Sequence, residues 1–148
     1  MIRTIVLDAG PLWMLAHRGG VAAVDACKQW LEERLGAGDR AVVPEVADYE
    51  VRRELLRSRS AASIERLDRL VELAEYVPLT TSAMRLAARI WADARQRGRP
   101  TADRKALDVD AILAAQAIML EDEGYVIATT NVAHLDRFAH AALWNEIR

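Results

Sequence analysis

The stretch "IVLDAGPLWML", residues 5–15, starts as a buried strand and ends that strand on a carboxylate. Residues 5–7 are apolar or β-branched, as is typical of a strand in a protein core. Asp8 follows directly, and Gly10 and Pro11 then interrupt the strand pattern. A buried charge is costly unless it is paired or coordinated. We therefore expect the rest of the chain to supply a partner for Asp8.

Short apolar strands and longer helices alternate along the rest of the chain. The strand patterns are "IRTIVLDA" (2–9), "RAVVP" (40–44), "YVPL" (76–79), "YVIATT" (125–130) and "ALWNEI" (142–147). The helical patterns span 21–38, 45–60, 63–76, 82–98, 108–124 and 133–141, and a loop pattern, "RPTADRKAL", spans 99–107. This alternation predicts a parallel sheet with helices on both faces. In such folds the site forms at the carboxyl ends of the strands.

Length and composition predict a single globular domain spanning residues 1–148, with 52% hydrophobic and 28% charged residues. The net charge of −2 argues against a protein that coats nucleic acid non-specifically, but it leaves room for local phosphate contacts. All but two of the 20 basic residues are arginine, which suits phosphate recognition but also follows from a biased genome composition. With no apolar run of membrane length and no secretory signal pattern, we expect a cytoplasmic protein without a membrane partner.

Glu50 lies on the apolar face of a predicted helix. When "PEVADYEVRREL" (44–55) is projected at 100° per residue, Glu50 falls inside the apolar arc. An acid on a buried face needs a partner, so Glu50 is a candidate functional residue. The alternative is a surface acid that pairs with Arg53, three residues further on. Glu54, one turn along the same helix, is the fallback candidate.

A second candidate acid stands at the start of an alanine-rich helix, "ALDVDAILAAQA" (106–117). We expect Asp110 in the first turn, where the helix dipole favours a carboxylate. The small and apolar residues after it predict tight packing into the core, so Asp110 faces the end of the sheet and is a functional candidate. Asp108 is well placed as an N-cap, which explains it without a functional role.

Polar residues also follow the last long strand, in "YVIATTNVAHL" (125–135). The strand ends in two hydroxyls, Thr129 and Thr130, and Asn131 and then His134 follow. Turn chemistry is an ordinary explanation for such residues. Because the carboxyl ends of parallel strands share one edge, however, we expect this Thr/Asn group to lie near the candidate carboxylates.

Carboxylate oxygens without cysteine or an obligatory histidine suit a hard cation such as Mg²⁺ or Mn²⁺. Such a cation compensates Asp8 if Glu50 and Asp110 are its co-ligands. Metal ions held by few carboxylates and several waters are the usual arrangement for phosphodiester chemistry. The residues therefore predict a metal site at the sheet edge.

Four segments in this order and spacing resemble the PIN-domain ribonucleases, specifically the VapC-type toxins of prokaryotic toxin–antitoxin pairs. They are "LDAGPL" (7–12), "VPEVADYEVRREL" (43–55), "DAILAAQA" (110–117) and "ATTNVAHL" (128–135). The resemblance implies a three-layer α/β/α fold with a central parallel sheet, and Mg²⁺- or Mn²⁺-dependent cleavage of RNA. It also implies a homodimer and inhibition by a small antitoxin protein. Carried over by position, the family's metal-binding acids fall on Asp8, Glu50 and Asp110.

Asn131 departs from the pattern of many relatives, which carry a fourth acid here. Its carbonyl can still bind a metal ion or hold a metal-bound water, but it adds no negative charge, which leaves the number of metal ions open. We assign Asn131 to the catalytic set. Thr130, Arg52, Arg53 and Arg57 are candidates for RNA binding, although a solvated helix face explains the arginines equally well. The alternative function is a PIN-like domain that binds RNA or a protein without cutting.

Overall fold

Five parallel strands form the centre of the computed structural model, which describes residues 2–97 and 104–148. The strands are β1 (Thr4–Leu7), β2 (Arg40–Pro44), β3 (Glu75–Val77), β4 (Tyr125–Thr129) and β5 (Ala141–Leu143). Their order in the sheet is β3-β2-β1-β4-β5, and every neighbouring pair is parallel. The predicted parallel sheet is therefore confirmed.

Helices cover both faces of this sheet and complete a three-layer α/β/α fold. They are α1 (Ala9–Ala16), α2 (Ala22–Gly36), α3 (Glu45–Arg57), α4 (Ala61–Leu73), α5 (Thr81–Gln96), α6 (Arg104–Ile118) and α7 (Val132–Leu135), followed by a 3₁₀ turn at Trp144–Glu146. In the described ranges, no helix is both long and apolar enough to cross a membrane.

The two cores follow from the alternation of side chains along each strand. Ile5 and Leu7 point to one face of the sheet, where they join the core formed with α1, α2 and α4. Val6 points to the other face and packs with Leu113 of α6 and Leu135 of α7. Because both faces are covered, β1 is apolar at each of its four positions except Thr4.

The strand order creates a switch point between β1 and β4. The chain adds β2 and then β3 on one side of β1, and it crosses to the opposite side to form β4. Connections therefore leave the carboxyl ends of β1 and β4 in opposite directions, which opens a crevice at that edge. Asp8 and Thr129 stand at this edge, since Leu7 pairs with Ala128 in the parallel ladder.

Two helix starts differ from the prediction. Helix α1 was not predicted: Gly10 and Pro11, which were expected to interrupt the strand, lie inside its first turn. A missing proline N–H costs nothing there, because the first helical N–H groups have no intrahelical partner. Helix α6 begins at Arg104, so Asp108 is not an N-cap and Asp110 lies beyond the first turn. Residues 99–103 of the predicted loop lie outside the described residues.

Candidate metal centre

Asp8 ends β1 and caps α1 at the same time. One carboxylate oxygen accepts a hydrogen bond from the Ala9 N–H at 2.7 Å, and the other accepts one from the Thr129 hydroxyl at 2.7 Å. Burial raises the pKa of Asp8, while these two hydrogen bonds oppose the rise. Neither donor carries a charge, so the partner predicted for Asp8 has to come from elsewhere.

Glu50 approaches this carboxylate from α3. Its side chain is partly buried, and its pKa is raised to about 7 from an ordinary 4.5, with burial as the largest cause. The negative charges of Asp8 and Asp110 also raise the pKa, and the positive charge of Arg53 lowers it. The projection that placed Glu50 on the inner side of the helix agrees with this position.

Asp110 approaches from α6, on the other side of Asp8. Its side chain is 18% exposed, and burial together with the charge of Asp8 raises its pKa to about 7 from an ordinary 3.8. Arg137 lowers the pKa of Asp110, and the Nδ1 atom of His134 lies 3.8 Å from one of its carboxylate oxygens. His134 is therefore a neighbour of the acid cluster.

The structure thus brings together Asp8, Glu50 and Asp110, which we call the acid triad. Through charge repulsion, Asp8 raises the pKa of both Glu50 and Asp110, and Asp110 raises the pKa of Glu50. Within the described residues, no three His, Cys, Asp or Glu side chains already form a ligand cage for a metal ion. Carboxylate oxygens are nevertheless the ligand type that Mg²⁺ and Mn²⁺ prefer, and Mg²⁺ usually keeps several of its waters, so these three side chains are the residues that could hold such a cation.

Thr129 has a different environment from its neighbours Thr130 and Asn131. Thr129 is fully buried, and its hydroxyl both donates to Asp8 and accepts from the Asn131 N–H at 3.0 Å. Thr130 and Asn131 are exposed, and the side chain of Asn131 makes no capping hydrogen bond to α7. Thr129 therefore ties Asp8 to the turn that carries the two exposed side chains.

The three candidate RNA-binding arginines of α3 have different partners. Arg52 forms ion pairs with Asp48 and Asp68, at 3.0 and 2.7 Å. Arg53 stacks over the ring of Tyr49 at 5.2 Å and, of the three, is the one that lowers the pKa of Glu50.

Arg57 pairs with Glu54 at 2.6 Å, and both side chains are exposed. This contact gives the fallback acid Glu54 an ordinary surface partner. Asp108 is exposed on α6.

Two residues that position the site were not among the sequence candidates. Gln116 of α6 is buried. Its side-chain oxygen accepts from the Val46 N–H of α3 at 3.1 Å, and its amide donates to the Val77 carbonyl of β3 at 2.8 Å. It thereby fixes the start of α3, the helix that carries Glu50. Its signal in the sequence is a lone polar side chain in the apolar run "AILAAQA". Of the two threonines that end β4, the sequence made Thr130 the candidate, whereas the hydroxyl that contacts Asp8 belongs to Thr129.

A parallel sheet between helical layers, with carboxylates gathered at the carboxyl ends of its strands, defines an α/β/α protein with an acidic site. The family model of the PIN domain matches residues 5–140, so this chain belongs to the PIN domain family.

Solved structures with a similar fold come from three bacteria. The structure of VapBC2 from Rickettsia felis bound to a DNA fragment from the VapBC2 promoter has a TM-score of 0.71 at 12% identity. The match covers 95% of this chain and 98% of that chain. FitAcB from Neisseria gonorrhoeae has a TM-score of 0.72 at 16% identity, over 97% and 99%. VapBC-1 from nontypeable Haemophilus influenzae has a TM-score of 0.64 at 19% identity, over 96% and 98%. No curated protein sequence gives a significant match.

Proposed function

We propose that this protein is a Mg²⁺- or Mn²⁺-dependent endoribonuclease and the toxin of a toxin–antitoxin pair. The observation that carries the proposal is the acid triad, which gathers at the switch point of the sheet with the pKa of each carboxyl raised. Raised pKa values of this kind, caused by burial and by neighbouring charge, are characteristic of functional sites, because a buried carboxylate that binds a cation is unfavourable without it.

The residues of the triad would hold the cation, and the neighbouring side chains would orient the substrate. A divalent cation bound there supplies an activated water and neutralises charge on a phosphodiester. Thr129 holds Asp8 in one orientation through its hydrogen bond. Thr130 and Asn131 are exposed beside it and can hydrogen-bond a water or a phosphate oxygen. Arg53, which is exposed and close enough to Glu50 to lower its pKa, would contact the flanking RNA backbone.

The toxin role rests on the family and on the similar structures. The PIN match covers most of the chain, and the complexes of VapBC2 and FitAcB share the fold over nearly the full length of both chains. We therefore include a small antitoxin protein and a second copy of this chain among the proposed partners.

RNA cleavage in the presence of Mg²⁺ or Mn²⁺ tests the nuclease proposal. The purified protein should cut single-stranded RNA, and EDTA should abolish the reaction. Glu50→Gln should lower the rate by about a hundredfold or more, since it removes a ligand charge. Glu54→Gln, one turn along the same helix, is the matched control and should retain the rate of the wild type. Because water rather than the ribose 2′-hydroxyl attacks, the products should carry 5′-phosphate and 3′-hydroxyl ends.

A binding-only function is the second candidate, favoured by two observations. The described residues hold no ready-made ligand cage, and Asn131 adds no negative charge to the triad. Failure to cut any RNA with either cation, combined with measurable RNA binding, would favour this candidate. Cyclic 2′,3′-phosphate ends, or cutting that survives both EDTA and Glu50→Gln, would contradict the metal-dependent mechanism.

A further inference from the structure

A cavity of about 250 Å³ opens where the C-terminal ends of α1 and α3 meet the N-terminal end of α4. Two arginines, Arg18 and Arg66, and three serines at positions 58, 60 and 63 line it, and no acidic side chain does. The cavity is therefore positively charged in a protein whose net charge is −2. None of these residues belongs to the acid triad.

Arg66 is held in place before any ligand arrives. Its Nε atom donates to the Ala16 carbonyl at 2.7 Å, and one terminal nitrogen donates to the Ser63 hydroxyl at 2.9 Å. A guanidinium has five N–H donors, so these two contacts leave donors for an anion. A fixed guanidinium beside hydroxyl groups is suited to a phosphate oxygen, since less side-chain freedom is lost on binding.

An aromatic pair forms another wall of the cavity. Trp13 is 44% exposed, and its ring lies 5.2 Å from the ring of His17, one helical turn along α1. The Nδ1 atom of His17 accepts a hydrogen bond from the Gly19 N–H, so the proton of the neutral ring is on Nε2. Exposed aromatic faces beside a positively charged groove are the combination on which single-stranded nucleic acid stacks its bases.

The arginines of this cavity differ from two of the three candidate arginines on α3. Arg52 and Arg57 are each paired with a carboxylate, whereas Arg66 contacts a carbonyl and a hydroxyl, and Arg18 is exposed. Helix α4 also begins here without a side-chain cap, since Ser60 makes no capping hydrogen bond. Its first N–H groups add positive potential to the same cavity.

One helix connects this cavity with the acid triad. Asp8 caps the start of α1, and His17 caps its end, eight helical residues later. At 1.5 Å per residue the two ends are about 12 Å apart, which an RNA strand of a few nucleotides can span.

We propose that this cavity is a second binding subsite for single-stranded RNA, in which a phosphate contacts Arg18 and Arg66 and a base stacks on Trp13. The inference rests on the proposed function, since the same strand would pass through the acid triad. The contact of Arg18, Arg66 and Trp13 with RNA is separate from the acid triad, however, and can be measured without cleavage.

RNA binding in EDTA tests the subsite while the nuclease is silent. Fluorescence anisotropy with a labelled single-stranded RNA of about eight nucleotides gives the Kd between about 50 and 200 mM salt. Arg18→Ala and Trp13→Ala should each raise the Kd about fivefold or more. Arg18→Ala should also lower the slope of log Kd against log salt by about 0.7, the value for one phosphate contact on a single strand.

The control is Arg89→Ala, which removes the same charge from an exposed position on α5 and should leave the Kd unchanged. Arg18 and Trp13 are exposed, so both variants should melt near the temperature of the wild type. Arg66 is not substituted, because it also holds the end of α1.

A wild-type Kd and a wild-type salt slope in both variants would overturn the proposal. This is the result expected if the cavity receives an acidic segment of a protein. An equal loss in Arg89→Ala would overturn it too, since binding would then follow net charge alone. Loss of RNA binding in Arg18→Ala by a protein that cuts no RNA would uphold the subsite and contradict only the nuclease proposal.

Discussion

Each ionised carboxylate of the acid triad lowers the stability of the folded chain when no cation is bound. Asp8 is held by two uncharged donors, and burial still raises its pKa. Glu50 and Asp110 each have a pKa of about 7, so both compete for protons near neutral pH. The three side chains are therefore better explained by a bound cation than by their contribution to stability.

Asp110→Asn should stabilise the metal-free protein at alkaline pH. Asp110 has a pKa of about 7 when folded and an ordinary value of 3.8 when unfolded, so between these values the native state binds more protons. The free energy of unfolding of the wild type should accordingly fall as pH rises through this window. Asparagine carries no charge, so at pH 8 the variant should be more stable than the wild type by about 1–2 kcal/mol, and near pH 5 the difference should be small.

Urea unfolding in EDTA at pH 5, 6.5 and 8 measures this difference. Asp108→Asn removes an exposed carboxylate from the same helix and should follow the wild type at each pH. A variant Asp110→Asn that is less stable than the wild type at pH 8 would show that Asp110 serves the fold rather than a cation.

In the sequence, the acids stand out as candidates more clearly than the residues that hydrogen-bond to them. Asp8 stands out because a charge ends an apolar strand, and Glu50 because a charge interrupts an apolar helix face. The choice between Thr129 and Thr130 could not be made, because adjacent strand residues point to opposite sides and only the pairing of Leu7 with Ala128 fixes which one meets Asp8.

At the level of elements, the first turn of α1 packs closely against the turn after β4. A Cβ atom on Gly10 would lie 2.6 Å from the Thr130 hydroxyl oxygen and 2.8 Å from its methyl group. Only glycine allows this approach, which brings the N-cap Asp8 beside Thr129. The sequence predicted only that Gly10 interrupts the strand pattern. In the structure, its missing side chain permits contact between two elements that are far apart in sequence.

Gly10→Ala should destabilise the protein by about 1–3 kcal/mol, because Thr130 has to move. Gly36→Ala is the matched control. Gly36 lies at the end of α2 with open space around it, so alanine should be neutral or stabilise by up to about 1 kcal/mol. Chemical denaturation of both variants measures the two effects. Equal stability of the two variants would contradict a role for Gly10 in this contact.

The start of α6 shows why element boundaries were less predictable than element types. Asp108 has the residue type of an N-cap, and the charged run before it is typical of a loop. The helix nevertheless begins at Arg104. Leu107 in its early part is buried, and further along Ala111 and Ala115 pack against α5. Tertiary packing of this kind overrides local capping preference.

For the whole molecule, the alternation of strands and helices was enough to predict the fold class, but it could not give the strand order. Parallel pairing joins residues far apart in sequence, such as Val6 with Val42 and with Ile127. The order β3-β2-β1-β4-β5 is what places the ends of β1 and β4 side by side. Gln116 then ties the start of α3 to β3, so that Glu50 faces the same crevice.

Calorimetric titration of Mn²⁺ into the purified protein tests the central claim, that the acid triad is a site for a divalent cation. The wild type should bind Mn²⁺, and Glu50→Gln and Asp110→Asn should each weaken binding by about tenfold or more, because each removes a ligand charge. Glu54→Gln and Asp108→Asn, the matched controls on α3 and α6, should bind as the wild type does. Wild-type affinity in all four variants, or equal losses in the triad variants and their controls, would contradict the account.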